Sequence, residues 1–234
     1  MTQTPPRLAR RVAIEATTIV ASILIAFAID AWWAERNERI EEREAIEGLL
    51  TDFRETQRRT SELRAQLQES VDAAGTLLAM ADGGPGTSTA QTDSLIFLLV
   101  QRHALSTTEA NLTALLESGR LRLIRNDSLR VALAGWGQVK ARPATALDQD
   151  DRTVGDHLLP YLWDTVSMRA VDSAGGLQAF GAGSKPHDAS RLLRDRKFEN
   201  LVNERIALLT VALRGLASVD NHVETTLRLL EEER

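Results

Sequence analysis

The sequence predicts an all-α protein in which an N-terminal transmembrane helix continues into an antiparallel helical bundle. An apolar segment, residues 12–33, lies near the N-terminus. Two long segments, one just after it and one at the C-terminus, repeat apolar residues at alternating spacings of three and four, the period of an amphipathic helix. Few segments alternate apolar and polar residues with period two, so a sheet is not expected.

The apolar segment is long enough to cross a bilayer. Its 22 residues form a helix of roughly 33 Å, against a hydrocarbon core of about 30 Å. Residues 16–29 carry no charge, and Trp32 and Trp33 stand where an interfacial aromatic belt is expected. A cleaved signal peptide, with residues 26–28 as its cleavage site, and a buried core helix remain alternatives. The anchor is favoured because the helical pattern continues beyond the Trp pair without a break.

The arginines near the anchor indicate its orientation. Residues 1–11 hold three arginines and no acid, whereas the three arginines after the anchor are mixed with glutamates. Acids count little in the positive-inside rule, so the clustered N-terminal arginines place the N-terminus in the cytoplasm. We therefore expect a cytoplasmic tail at residues 1–11, a transmembrane helix at 12–33 and an extramembrane bundle at 34–234. In a bacterium this corresponds to the inner membrane, with the bundle in the periplasm.

Composition argues against several function classes. The net charge of −5 provides no electrostatic footprint for nucleic acid. The absence of cysteine excludes disulfides, thiolate metal sites and cysteine nucleophiles. The four histidines lack metal-ligand spacing, so we expect each to be a solvent-exposed or capping residue. They are His103, His157, His187 and His222.

Motifs for catalysis or cofactor binding are incomplete. Asp148, Asp150 and Asp151 match half of a calcium loop, without its central Gly or final Glu. The Gly-rich segments at 83–89 and 181–185 lack the strand and spacing of a phosphate loop, and no G-x-S-x-G occurs. We therefore expect a protein that is not an enzyme and that binds no cofactor or metal.

The segment after the anchor predicts one long amphipathic helix that ends at the Gly/Pro-containing residues 83–89. Apolar and small polar residues form a stripe along it, typical of a bundle or a coiled coil. The stripe consists of Ile46, Leu49, Phe53, Thr56, Thr60, Leu63, Leu67, Ser70, Ala74 and Leu77. Its middle is partly Ser and Thr, so we expect looser packing there than at the ends.

Two short helices are expected next. Thr92 or Ser94 can cap the apolar segment LIFLLVQRHAL. Thr107 or Thr108 can cap a second helix, which ends at Glu117 before a glycine.

A longer helix should follow, with Asn126 or Asp127 as its N-cap. One face of it carries Leu129, Leu133 and Trp136.

Pro143 is expected to kink or end that helix, with further helix to about Pro160 and a Gly-rich loop at residues 173–188. The last helix, about residues 194–233, should pack antiparallel to the first long helix. Its apolar stripe consists of Val202, Leu209, Ala212, Leu216, Val219, Val223 and Leu230.

The anchor also resembles a known family. Glu15, the run ILIAF at 23–27 and the D-A-W at 30–32 are similar to the N-terminal signature of a family of bacterial single-pass membrane proteins of unknown function. Residues 115–133 and 192–209 are similar to later parts of the same family. The resemblance implies the anchor-and-helical-domain topology and implies no catalytic residues.

Polar and small residues in the anchor suggest contacts with other helices. Glu15 and Asp30 lie about 60° apart around a helix, near its two ends, and Glu15 can pair with Arg11 one turn back. Small residues recur every fourth position, which lets a second helix approach closely. The candidate anchor and helix-packing residues are Glu15, Thr17, Ala21, Ser22, Ala26, Asp30, Trp32 and Trp33.

These observations favour a non-catalytic, membrane-anchored accessory or structural subunit of a larger inner-membrane complex. A photosynthetic reaction-centre complex or a respiratory complex is a plausible host, although no motif selects either. Membrane lipid and other subunits are the expected partners. Trp136, Tyr161 and Trp163 are candidate partner contacts, because aromatic side chains are favoured at interfaces. For Trp163 a place in the core is the stronger expectation.

Two other functions remain open. The bundle could be a periplasmic sensor that holds a small ligand, although eleven residues before the anchor are too few for an output domain. A self-associating scaffold is the third possibility, and homo-oligomers are less expected because the first stripe has a polar middle.

Overall fold

The first helix of the computed structural model, α1, extends without interruption from Pro6 to Ala81. The structure describes residues 6–84, 88–177 and 187–234, and these form helices and turns without a strand. The remaining elements are α2 (Thr89–Leu99), α3 (Ala110–Glu117), a 3₁₀ turn (Arg120–Leu123), α4 (Asp127–Thr153), a π-helical turn (Val154–Leu158), α5 (Leu159–Thr165), α6 (Met168–Ala174), α7 (Ala189–Leu193) and α8 (Arg196–Glu232). The all-α fold with a long N-terminal helix is confirmed.

Helices α1 and α8 pack antiparallel. Every member of the two predicted stripes is buried. Ion pairs join Arg54 to Glu231 and Arg64 to Asp220. As the residue number rises along α1 it falls along α8, so the two helices run in opposite directions. The three/four spacing therefore identified the correct faces of both helices.

Helix α4 completes a three-helix core. Leu129, Leu133 and Trp136 are buried, as expected from their common face. The side chain of Asn126 accepts a hydrogen bond from the backbone N–H of Leu129 at 3.1 Å, which confirms the predicted N-cap. Helix α4 lies antiparallel to α8, because the side chain of Asn126, at the start of α4, also donates to Glu233 at the end of α8.

The helix does not end at Pro143. It continues to Thr153 and passes through the π turn into α5. Pro143 is buried, and a Cβ added to Gly215 of α8 would lie 3.0 Å from its ring. The proline ring therefore occupies space that the missing side chain of Gly215 leaves at the α4–α8 contact.

The starts of the short helices differ from the expectations. Helix α2 begins at Thr89 with Ser88 as its N-cap, in a capping box with Gln91, so neither Thr92 nor Ser94 caps it. Helix α3 follows Glu109, which makes no side-chain capping bond. The expected helix end at residues 83–89 and the expected loop at 173–188 lie partly outside the described residues, and the segment 181–185 lies entirely outside them. Helix α6 extends to Ala174, within the expected loop.

The buried apolar side chains form three clusters along the bundle. One lies at the end nearer the N-terminal segment of α1, around Phe53, Trp136 and Val223. The middle cluster includes Leu67, Leu147 and Leu216 of the three long helices. The far cluster joins α1 and α8 to α2, α5, α6 and α7. Helices α2, α5, α6 and α7 therefore enlarge the core at the end distant from the N-terminal segment, whereas α3 adds Leu112 and Leu115 to the near cluster.

Candidate membrane anchor and docking surface

The N-terminal segment of α1 packs against nothing else in the described chain. Its apolar window is long enough to cross a membrane, and none of that window is buried. Its large apolar side chains are 49–66% exposed. They are Ile19, Val20, Ile23, Leu24, Ile25, Phe27, Ile29, Trp32 and Trp33. A buried core helix is thus ruled out for this segment.

The predicted anchor residues all lie on this exposed segment. Glu15, Thr17, Ala21, Ser22 and Ala26 are exposed, as are Asp30 and the Trp pair. The hydroxyl of Ser22 donates to the carbonyl oxygen of Ile19 at 2.8 Å. That bond satisfies the hydroxyl within the helix, so a neighbouring helix would meet a small surface without an unpaired donor. The expected pair between Glu15 and Arg11 lies outside the described side chains.

A short exposed stalk connects the apolar segment to the bundle. Residues 34–40 are all exposed, and the first contacts with the bundle are the ion pairs of Glu41 with Arg120 and of Glu42 with Arg125. At 1.5 Å per residue, Glu41 lies about 12 Å beyond Trp33. The stalk has no loop or glycine, so the bundle is held at a defined height relative to the apolar segment.

Trp136 is a core residue, so its side chain does not lie on the surface where a partner contact was expected. Only 2% of it is exposed. Its ring packs on Phe53 (centroid distance 5.3 Å) and stacks on His222 (5.7 Å). Its Nε1 donates to Glu109 at 2.9 Å. The face that carries Leu133 and Trp136 meets both α1 and α8, which covers the ring.

Glu109 is the polar partner of this aromatic cluster. Besides Trp136, it accepts hydrogen bonds from Lys140 and, at 3.2 Å, from Thr107. Burial tends to raise the pKa of Glu109, but the ion pair with Lys140 and the hydrogen bonds from Thr107 and Trp136 together outweigh it, so the pKa is lowered. The carboxylate is therefore held ionised where the indole N–H of Trp136 is removed from water.

Tyr161 is also buried. Its hydroxyl donates to Asp195 at 2.8 Å, and its ring stacks on Phe198. Burial and the hydrogen bond to Asp195 raise the pKa of Tyr161. Asp195 also caps α8 by accepting from the backbone N–H of Lys197. This Tyr161–Asp195 contact ties α5 to the start of α8 and is structural.

Trp163 has the opposite outcome. A core position was the stronger expectation, yet 63% of this side chain is exposed. It lies on α5, two residues after Tyr161, so the two side chains point to different sides of the helix. Of the three candidate aromatics, Trp163 alone presents its ring to solvent.

A buried polar centre escaped the sequence analysis. Arg205 and Asp150 are fully buried and paired, with Nε and Oδ1 3.2 Å apart. Arg205 also donates to the carbonyl oxygen of Gln101, while its Nη1 finds no partner among the described residues. Burial raises the pKa of Asp150 and lowers that of Arg205, each against the pull of the other. Arg205 stands three residues after Val202 and four before Leu209, and this stripe position is the one sequence signal that could have indicated its burial.

His103 borders this centre. Its Nε2 lies 2.9 Å from the hydroxyl of Ser70, which donates to the carbonyl oxygen of Leu98. Burial, together with the positive Arg205, lowers the pKa of His103 to about 4, so the ring is neutral at neutral pH. Two polar members of the α1 stripe, Ser70 and Thr56, thus hydrogen-bond to the nonhelical segment between α2 and α3, through His103 and Thr108.

The other histidines also differ from a uniform surface role. His187 lies 3.0 Å from Asp93, both with side chains less than 10% exposed, and burial raises the pKa of Asp93. His222 stacks on Trp136 and contacts the carbonyl oxygen of Ala132 at 3.0 Å. Of the four histidines only His157 is exposed, as expected. Within the described residues no three acids or histidines are placed to hold a metal ion.

Comparison with known proteins adds no functional assignment. No family model matches the chain, and neither a curated protein nor a solved structure is significantly similar to it. The resemblance of the anchor to a family of single-pass proteins stays a prediction. The class that the structure defines is an all-α bundle carried on a long, exposed, apolar N-terminal helix.

Proposed function

We propose that this protein is a non-catalytic accessory subunit, anchored in the bacterial inner membrane by α1, that docks on and stabilises a larger membrane protein complex. The observation that carries the proposal is the uninterrupted α1 helix. Its apolar segment is exposed on all sides, and its other half is one of the three core helices. A bundle attached this rigidly to a membrane helix holds its surface in a fixed position, which suits docking.

Two surfaces are suited to partner contact. On the anchor, Thr17 and Ala21 are small and one turn apart, so that another helix can approach closely. On the bundle, the exposed ring of Trp163 offers the large apolar area that interfaces use as an anchor. Trp136 and Tyr161 support the fold behind these surfaces.

The test is purification of the tagged full-length protein from its native membrane in mild detergent, with identification of stoichiometric partners. Ala21→Leu and Trp163→Ala should each weaken co-purification by at least about tenfold, the effect of roughly 1.4 kcal/mol at a central contact. Ala16→Leu is the control for the anchor, since it makes the same change about 140° around the helix. Val131→Ala is the control for the bundle, because Val131 is an exposed apolar residue of α4.

A defined complex that is lost in the two variants and kept in the two controls supports the proposal. A protein that emerges alone, as a monomer or homo-oligomer, contradicts it. Ligand screening of the bundle would then become the next experiment.

A further inference from the structure

The stalk of α1 carries a basic stripe that continues directly from the aromatic end of the apolar segment. Trp32, Arg36, Arg39 and Arg43 follow one another at spacings of four, three and four, so they share one face of the helix. Together with Glu35 and Ile40 they line an open groove of about 380 Å³. We call this face the stalk stripe.

The side chains of the stalk stripe are available to a ligand. The guanidinium carbon of Arg36 lies 5.8 Å from the centre of the Trp32 ring, and Arg39 pairs with Glu35 at 2.6 Å. Arg36 and Arg43 are exposed, and in the part of the chain that the structure describes neither forms an ion pair. Arg36 therefore stands without an ion pair beside the Trp32 indole, and Arg43 lies about three helical turns beyond Trp32 on the same face.

The acids of the stalk do not cover this face. Glu41 and Glu42 pair with Arg120 and Arg125 of the bundle. Glu38 and Glu44 lie about 120° from Trp32 around the helix, on opposite sides of it. Glu47 lies about 22 Å beyond Trp32 along the axis, so it is distant from Arg36. It is one turn from Arg43, with which it forms no ion pair in the described structure.

The stalk stripe lies at the height of lipid headgroups if α1 crosses a bilayer with Trp32 at the interface. The headgroup layer is about 5–8 Å thick on each side. Arg36 lies about 6 Å beyond Trp32, and Arg43 about 16 Å beyond it. Arg36 is thus within the phosphate layer, and Arg43 is about one Debye length (8 Å) from it.

We infer that the stalk stripe binds the phosphate groups of anionic phospholipids, with Arg36 as the direct donor, Arg43 as a supporting charge and Trp32 at the acyl boundary. Arginine suits this role because its planar group donates several hydrogen bonds to phosphate oxygens. Binding there holds the bundle close to the membrane surface and resists rotation of α1. The inference rests on the membrane anchor of the proposed function and does not depend on a protein partner.

The test uses the full-length protein in mild detergent with equal amounts of phosphatidylglycerol and phosphatidylcholine, and native mass spectrometry to count retained lipids. The wild-type protein should retain phosphatidylglycerol preferentially. The double variant R36Q/R43Q should lower that preference at least about fivefold, the contribution of one basic residue near a charged surface. The double variant R36K/R43K should keep most of it, because the charges remain.

The matched control is R142Q/R214Q, which removes two exposed arginines from the middle of the bundle. It should leave the lipid preference unchanged, and the helical circular-dichroism signal should match in all variants. An equal preference in the wild type and R36Q/R43Q overturns the inference. So does a loss of a co-purifying protein with unchanged lipid retention, which would make the stalk stripe a protein contact.

The outcome separates the two proposals. Lipid preference without a stoichiometric protein partner supports the inference and contradicts the accessory-subunit function. If a partner complex co-purifies equally with the wild type and R36Q/R43Q, and no lipid preference is found, the accessory-subunit function is supported and the lipid inference is contradicted.

Discussion

Arg205 shows how one residue can set the stability of the bundle. Its buried guanidinium holds Asp150 and the Gln101 carbonyl oxygen together at the meeting point of α4, α8 and the segment between α2 and α3. A buried ion pair adds little net stability by itself, because each charge loses its hydration. Removing one partner is costly, however, since the other charge stays buried without compensation.

We expect Arg205→Met to lower the free energy of unfolding by about 3–5 kcal/mol, because Asp150 is left unpaired. Arg102→Met is the control, since it breaks the exposed pair with the adjacent Asp151 and should cost less than about 1 kcal/mol. Chemical denaturation of the full-length protein in mild detergent, followed by circular dichroism, measures both. Similar small losses in the two variants would show that water reaches the Arg205 pair.

Sequence reasoning could not single out Arg205 or Asp150. Asp150 was noted only as part of an incomplete calcium loop, and Arg205 is one of many arginines in a charged helix. Both lie on the apolar faces of their helices, where a charged residue interrupts the three/four spacing of apolar residues. The charges are tolerated there because α4 and α8 bring Asp150 and Arg205 together and the Gln101 carbonyl oxygen accepts a further hydrogen bond from Arg205.

At the scale of the helices, the α4–α8 contact depends on a proline facing a glycine. A Cβ on Gly215 would meet Pro143 Cβ and Cδ at 3.0 Å and its backbone nitrogen at 3.1 Å. The ring and the backbone are stiff, so the helices themselves would have to separate. A helical glycine normally costs stability relative to alanine, and here the contact outweighs that cost.

Gly215→Ala should therefore destabilise the protein, by about 1–3 kcal/mol from overpacking. Gly137→Ala, in α4 with nothing within 4 Å of the added Cβ, should stabilise it by about 0.5–1 kcal/mol through helix propensity. The opposite signs are the decisive feature, and denaturation midpoints of the two variants measure them. A stabilising Gly215→Ala would mean that the α4–α8 contact can relax.

The first turn of α3 is capped by a residue from another helix, not by a neighbour in sequence. Thr107 and Thr108 were reasonable caps by sequence, yet the backbone N–H of Asn111 donates to Asp52 of α1 at 2.8 Å. The Asn111 side chain donates to the same carboxylate at 2.9 Å. A carboxylate from another helix thus satisfies the helix end, which no local pattern can reveal.

At the scale of the whole molecule, the unbroken α1 helix joins the exposed apolar segment to the packed bundle. Its first half exposes apolar side chains on every side, and its second half buries only one stripe. The change in pattern occurs along a single helix, at the stalk. In the proposed membrane-anchored arrangement, the orientation of α1 therefore determines on which side of the membrane the entire bundle lies.

Cysteine labelling tests that orientation, because the natural chain has no cysteine to give background. Ser61→Cys, at an exposed position of α1 in the bundle, should react with a membrane-impermeant maleimide in intact spheroplasts. Thr4→Cys should react only after lysis, since the positive-inside rule places residues 1–11 in the cytoplasm. The reverse labelling pattern would place the bundle in the cytoplasm.

The sequence by itself determined the all-α fold, the two long stripes, the antiparallel packing of α1 and α8, and the exposed apolar N-terminal helix. These depend on local periodicity and on the length of an uncharged run, which any window of the chain reports. Only the tertiary structure decided that Trp136 and Tyr161 are buried while Trp163 is exposed, and that Arg205 lies in the core. Burial of a single residue depends on which helices meet there, and that is set by contacts between residues far apart in the chain.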